Sequence, residues 1–167
     1  MEIIGISDLH GYLPELPKCD VICICGDIFP LEYQNNTIKS ISWFLLDFVP
    51  WTNRLNCNKV IFIAGNHCWL FYDLFKKNHK LDWEIEELLL TSHLDSVKIK
   101  YLCDSEYIYK GIKFYGTPWI PDLVNWAFYG DMNLLKERFQ AIPENTDILL
   151  THCPPQVADC GMVLQKC

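Results

Sequence analysis

Nothing in this sequence reaches the roughly 18 uninterrupted apolar residues that a membrane-spanning helix requires, so no bilayer span is expected. The opening residues Met1-Glu2-Ile3-Ile4 carry no basic stretch, and Asp8 and His10 soon break their apolar run. That pattern argues against a signal peptide and makes a cytoplasmic location the expectation. Positive charge is in short supply, with 14 Lys and Arg against 21 Asp and Glu and a net charge of -7. A surface of that sign repels nucleic-acid backbones, which weighs against non-specific DNA or RNA binding. The nine cysteines include no C-x-x-C pair and are odd in number, so neither a disulfide framework nor a structural zinc knuckle is expected. Cys19, Cys23 and Cys25 lie in or beside an apolar strand pattern and read as small buried thiols, while Cys153, Cys160 and Cys167 are too widely spaced for a knuckle. Repeats, linkers and low-complexity stretches are absent too, so residues 1–167 read as a single domain.

What is present is a core-forming composition: half of the 167 residues are hydrophobic and 14% are aromatic. A chain of this length buries about 70% of the surface that its unfolded form exposes. Short runs rich in Ile and Val, namely Ile3–Ser7, Val21–Cys25, Val60–Ala64 and Ile148–Thr151, read as buried strands. Between the second and third, Ile38, Ile41, Phe44, Leu45 and Phe48 fall at helical spacing in a helix over Thr37–Phe48, stopped by Pro50. A second helix is expected within Leu81–Thr91, whose acidic first half suits the helix dipole. From Val97 the period shifts toward two through Ile99 and Tyr101. It continues through Glu106–Tyr109 and Ile112–Tyr115, which read as a hairpin or meander turning at Lys110-Gly111, and the second sheet is expected to begin with this period-two stretch from Val97 and Ile99. A surface helix over Met132–Gln140, with Asp131 or Gly130 at its N-cap, closes before Pro143.

The polar residues carry the chemistry, because each of four predicted strands is followed at once by metal-binding groups. Asp8-Leu9-His10 follows the first, Gly26-Asp27 the second, Gly65-Asn66-His67 the third and His152 the fourth. In an open α/β sheet the carboxyl ends of neighbouring strands line one crevice, so these loops should converge. Asp8 and His10 can face one cation, and Asp27 can place one carboxylate oxygen on each of two. Carboxylate, imidazole and amide oxygen together suit two divalent ions of Mn, Zn or Fe better than Ca or Cu(I). Gly26 and Gly65 let the backbone approach closely at these turns.

These residues resemble the ordered motifs of the calcineurin-like metallophosphoesterase superfamily. Within it, Ile63-Ala64-Gly65-Asn66-His67, Tyr101-Leu102-x-Asp104-Ser105, Tyr115-Gly116-x-Pro118-Trp119 and Ile148 to Pro155 are similar to the small metallophosphoesterase-domain proteins related to cyclic-nucleotide phosphodiesterases. The resemblance implies a double-sheet α/β/β/α sandwich, with one metal on Asp8, His10 and Asp27 and the other on Asp27, Asn66 and His152. It implies that His67 binds no metal and protonates the leaving alkoxide, for which a near-neutral pKa is apt. The implied substrate is a small phosphate ester or nucleotide-like phosphodiester, attacked by a hydroxide held between the metals.

Three departures stand beside that pattern. The family usually carries a later Gly-His-x-His motif, which is not found before Cys167, so the second sheet is expected to be incomplete, with an exposed edge that favours homo-oligomers. Cys68 stands where the family usually has an acidic residue, which removes a contact expected to orient His67. Gly26-Asp27-Ile28-Phe29 lacks the Asp-Arg pair of protein Ser/Thr phosphatases. The rival reading, motivated by the first two departures, is a metallophosphoesterase-fold binding scaffold with little or no catalysis. His79 and His93 read as surface groups, Trp69, Phe71 and Tyr72 as core, and Lys76-Lys77 as a solvated face. Trp119 and Trp126 could each serve the core or wall a pocket.

Overall fold

A computed structural model of the chain describes residues 1–76 and 98–153. Val21–Cys25 (β2) and Lys59–Ile63 (β3), the most continuous apolar runs, form the centre of a parallel sheet. Ile3–Ile6 (β1) pairs with β2 on one side and Ile99–Tyr101 (β4) with β3 on the other, giving the order β1-β2-β3-β4 with all strands parallel. Every residue of β3 is buried, as expected of a central strand covered on both faces.

The period of two in these strands divides the core. Ile22, Ile24, Val60 and Phe62 face a layer of helices, whereas Val21, Cys23, Ile61 and Ile63 face a second sheet through Leu102, Phe114 and Leu150. That second sheet holds Ser105–Tyr109 (β5), Ile112–Thr117 (β6) and Ile148–Thr151 (β7) in the order β5-β6-β7, with β6 antiparallel to β5 and parallel to β7. Lys110 and Gly111 turn the hairpin with φ of 49° and 81°, the two left-handed residues that a tight two-residue loop requires. The result is the expected mixed α/β double-sheet sandwich. One assignment changes: Ile99–Tyr101 does not open the second sheet but ends the first, because its backbone pairs with Val60 to Phe62.

Helices Thr37–Trp43 (α1), Val49–Arg54 (α2) and Trp69–Lys76 (α3) contribute to the helical layer. Asn36 caps α1 by accepting the Lys39 N–H at 3.0 Å. Pro50 does not end this helical run, contrary to the sequence-based expectation. Between α1 and α2 lies a π-helical turn, Phe44–Phe48, in which the Val49 N–H reaches back to the Phe44 carbonyl. Such a turn widens the helix just where a proline ring would otherwise strike the carbonyl four residues back, so the chain passes Pro50 without breaking. Buried aromatics hold the segment down: the Phe44 ring lies 5.7 Å from Phe71, and Phe48 lies 5.5 Å from Phe62. The Asp131 side chain caps helix Met132–Gln140 (α4) by accepting the N–H groups of Asn133 and Leu134. The helix expected within Leu81–Thr91 lies outside the described residues, as do His79, His93, Lys77, Cys160 and Cys167. No helix among the described residues is long and apolar enough to cross a membrane.

Candidate metal centre

The loops after β1, β2, β3 and β7 meet at the carboxyl ends of their strands, but they do not share one sheet. Asp8, His10, Asp27, Asn66 and His67 come from the parallel sheet, while His152 arrives from the second. The crevice therefore lies where the two sheets face each other, and the expectation of a single-sheet crevice is corrected on that point.

Backbone ties set the first two loops side by side. The N–H groups of Asp8, His10 and Gly11 donate to the carbonyls of Gly26, Asp27 and Ile28 at 3.1, 2.8 and 2.9 Å. Asp8, His10 and Asp27 all adopt left-handed backbone, with φ of 56°, 43° and 51°. Asp tolerates that region better than most residues, yet each such residue stores on the order of 1–3 kcal/mol, and strain of this kind clusters at functional sites.

One oxygen is the hub. Oδ2 of the buried Asp27 lies 4.0 Å from His10 Nε2, 4.0 Å from His67 Nε2 and 3.3 Å from His152 Nε2. The other oxygen, Oδ1, accepts the His67 backbone N–H at 2.8 Å. The two oxygens of Asp27 thus differ in surroundings: Oδ1 accepts a backbone hydrogen bond, and Oδ2 lies among the three imidazoles. Asp8 Oδ1 lies 3.9 Å from His10 Nε2, and Asn66 Oδ1 lies 2.8 Å from His152 Nε2. Two donors on one cation of this class, each about 2.0–2.2 Å from it, lie no more than roughly 4.4 Å apart. All these pairs meet that limit. Ligand atoms of His10, Asp27 and His67, and of Asp8, Asp27 and His152, form two groups that share Asp27.

The donors also fit a cation chemically. His152 Nδ1 donates to the Cys25 carbonyl at 2.8 Å, and a carbonyl can only accept, so Nδ1 must carry its hydrogen. Nε2 then faces two acceptors, Asp27 Oδ2 and Asn66 Oδ1, an arrangement that only a proton or a metal ion satisfies. Burial works against charge on His152, but the hydrogen bond and charge of Asp27 outweigh it and raise its pKa. Burial likewise disfavours the Asp27 carboxylate, yet the hydrogen bond and charge of His152 hold its pKa below the usual value. For His67, burial and the neighbouring imidazoles lower the pKa against the pull of Asp27.

Gly65 makes the crowding possible. A Cβ there would collide with Asp27 Oδ1 and come within 2.7 Å of both the Asp27 backbone nitrogen and His152 Nε2. Backbone cannot step aside as a flexible side chain can, so Gly65→Ala is expected to destabilise the chain by about 1–3 kcal/mol, as overpacking does. It should also weaken metal binding. Thermal melts and metal analysis of the variant check both, and a wild-type melting point with unchanged metal content would refute the crowding argument.

The remaining singled-out residues separate cleanly. Trp119 is core, 3% exposed, with its Nε1–H donating to Asp104 Oδ2 at 2.8 Å. Trp126 instead covers His67, with ring centroids 4.4 Å apart. Its loop is tied to the third motif by the Ala127 N–H, which donates to the Asn66 carbonyl at 3.2 Å. Phe71 is core as expected, and Trp69 and Tyr72 pack partly buried against that core. Lys76 lies with its ammonium 4.2 Å from the Tyr72 ring centroid. Cys19, Cys23 and Cys68 are buried thiols, Cys25 is half-buried, and burial pushes Cys23 and Cys68 up to about 12. The residue that sequence reasoning missed is Gln34, whose side-chain oxygen contacts His67 Nδ1. Nothing in its neighbourhood of the sequence marks it, because the contact spans 33 positions.

A family model of calcineurin-like phosphoesterases matches residues 1–165. The chain belongs to the calcineurin-like phosphoesterase family. Metallophosphoesterase domain-containing protein 1 of Homo sapiens is 33% identical over 172 residues, covering 90% of this chain and 47% of the human protein. A UPF0046 protein of Caenorhabditis elegans is 30% identical over 174 residues, covering 93% of this chain and 42% of its own length. The chain thus spans about half the length of the curated relatives it matches. Membership makes this a metallophosphoesterase-type hydrolase fold, and the paired donor groups around Asp27 are its candidate metal-binding residues.

Proposed function

We propose that this calcineurin-like phosphoesterase chain hydrolyses a phosphodiester of small or nucleotide-like character with two divalent ions, each Mn, Zn or Fe. The observation that carries the reading is the convergence of His10, His67 and His152 on Asp27 Oδ2 within 3.3–4.0 Å. Asp8, His10 and Asp27 would hold one ion; Asp27, Asn66 and His152 would hold the other. Two such ions supply Lewis acidity and a hydroxide nucleophile at neutral pH.

The chain's own residues supply the rest. The Cys25 carbonyl fixes the His152 ring so that Nε2 points at Asp27, and the His67 N–H anchors the Asp27 carboxylate so that Oδ2 stays central. Asp27 is the residue that both sets of ligands would share. In its imidazolium form, His67, whose Nε2 lies 4.0 Å from Asp27 Oδ2, would give the Nε2 proton to the leaving oxygen as the phosphorus–oxygen bond breaks and keep the hydrogen on Nδ1. The Trp126 ring shields the outer side of His67 and walls the entrance where an aryl or base group can stack.

Metal titration with a bis-aryl phosphate and the matching aryl monoester tests the reading. Hydrolysis is expected to appear with added Mn, Zn or Fe, to saturate at two ions per chain, and to favour the diester. A metal-replete chain that cleaves neither ester would leave the scaffold reading in its place.

A further inference from the structure

We infer that Gln34 is the positioning residue for His67, holding the imidazole through Nδ1 so that Nε2 faces the reacting atoms. The inference rests on the proposed reading of His67 as proton donor and adds to it a residue outside the motifs that the sequence analysis singled out. Gln34 Oε1 is the partner of His67 Nδ1. An amide oxygen accepts and cannot donate, so the contact keeps the hydrogen on Nδ1 and leaves Nε2 as the exchanging nitrogen. That nitrogen lies 4.0 Å from Asp27 Oδ2, on the side of the crevice.

The neighbouring residue Cys68 does not supply this contact. It is fully buried, its backbone N–H donates to the Gly65 carbonyl, and its thiol sits in the helix-side core. Trp126 and the edge of His10, at 4.4 and 4.9 Å between ring centroids, restrain the ring by packing. Packing cannot fix the ring's orientation, because a half-turn exchanges Nδ1 with Cδ2 and Nε2 with Cε1 at little change in shape, whereas the Gln34 oxygen selects the orientation that brings Nδ1 to it.

The loop bearing Gln34 is built to hold still. It follows the 3₁₀ turn Leu31–Tyr33, whose last carbonyl accepts both the Ser40 hydroxyl at 2.9 Å and the Asn36 N–H at 2.8 Å. Ser40 is buried, and Asn36 caps α1, so the turn is pinned to a helix on its far side. Gln34 itself is half-buried. A polar side chain placed for solubility needs no such support.

The test compares wild type, Gln34→Leu and Gln34→Glu, each loaded with zinc. Nitrogen-15 NMR of the His67 ring is expected to show hydrogen on Nδ1 in wild type and Gln34→Glu, and a mixture of tautomers in Gln34→Leu, at equal zinc content. For hydrolysis of an alkyl-leaving diester, Gln34→Leu should lose about 10–100-fold in kcat with little change in KM, as loss of an orienting partner does, and Gln34→Glu should recover most of it. If Gln34→Leu fails to fold, Gln34→Ala at this half-buried loop position takes its place. An unchanged tautomer in Gln34→Leu, or a loss of zinc from it, would overturn the inference. If the wild type cleaves no ester, the proposed function fails, while the tautomer comparison still decides whether Gln34 orients His67.

Discussion

Asp27→Asn is expected to empty both metal positions together. The carboxylate is 2% exposed, and its Oδ2 is the one atom in reach of His10, His67 and His152. Asparagine keeps an acceptor for the His67 N–H but loses the negative charge of the shared ligand and turns a donor or a poor ligand toward the imidazoles. Loss of even an indirect partner of a metal ligand lowers affinity about 10–100-fold, so the loss of a shared ligand should exceed 10²-fold at each position. Asn66→Ala provides the contrast, since Asn66 Oδ1 meets the His152 side of the cluster, at 2.8 Å. It should empty one position and spare the other. Elemental analysis of both variants after dialysis against a weak chelator reads the result. Two tightly held ions in Asp27→Asn would remove the shared ligand from the proposal.

His67→Ala should retain both ions and slow hydrolysis in proportion to how poorly the leaving group departs. Its Nε2 is close to the hub, while its backbone N–H and not its ring holds Asp27 Oδ1, so removal of the imidazole leaves that anchor in place. An alkoxide needs a proton as its bond to phosphorus breaks, whereas a nitrophenolate leaves without one. Positioned acid catalysis contributes typically about 10²–10⁴-fold, so alkyl diesters should lose that much and nitrophenyl diesters far less. Rates across a series of aryl and alkyl phosphodiesters, with metal content checked for each preparation, give the dependence on leaving-group pKa. A uniform loss across the series at unchanged metal content would show that His67 positions substrate or stabilises charge, and the proton-donor role would fall.

The strands and their polar endings were legible because their causes are local. Val21–Cys25 and Lys59–Ile63 announce themselves as apolar runs too short for helices, and Asp131 as a cap with its helix directly behind it. That Asp8, His10, Asp27, Asn66, His67 and His152 would meet was legible for a related reason: each stands at the end of such a run, where its strand delivers it to the same end of the sandwich. Pro50 misled because a proline's local rule is strong, yet buried Phe44 and Phe48 outweigh it and the helix adjusts by a π turn.

Local sequence thus determined which segments form strands, which groups stand at their ends, and that those groups suit divalent cations. Only the tertiary structure decided how they combine. Ile99–Tyr101 could join either sheet until pairing with β3 chose the first, and His152 reaches the cluster across the gap between two sheets. Asp27 has two equivalent oxygens until the His67 N–H takes one. Trp119 and Trp126 look alike in sequence, but Asp104 draws the first into the core while the tie between Ala127 and Asn66 sets the second over His67. Gln34 acquires a role only when the turn before α1 folds against the third motif. The physical reason is common to all of these: a hydrogen bond or a ligand set is a matter of ångströms between atoms, and positions far apart in the chain acquire such distances only when the core that joins them has packed.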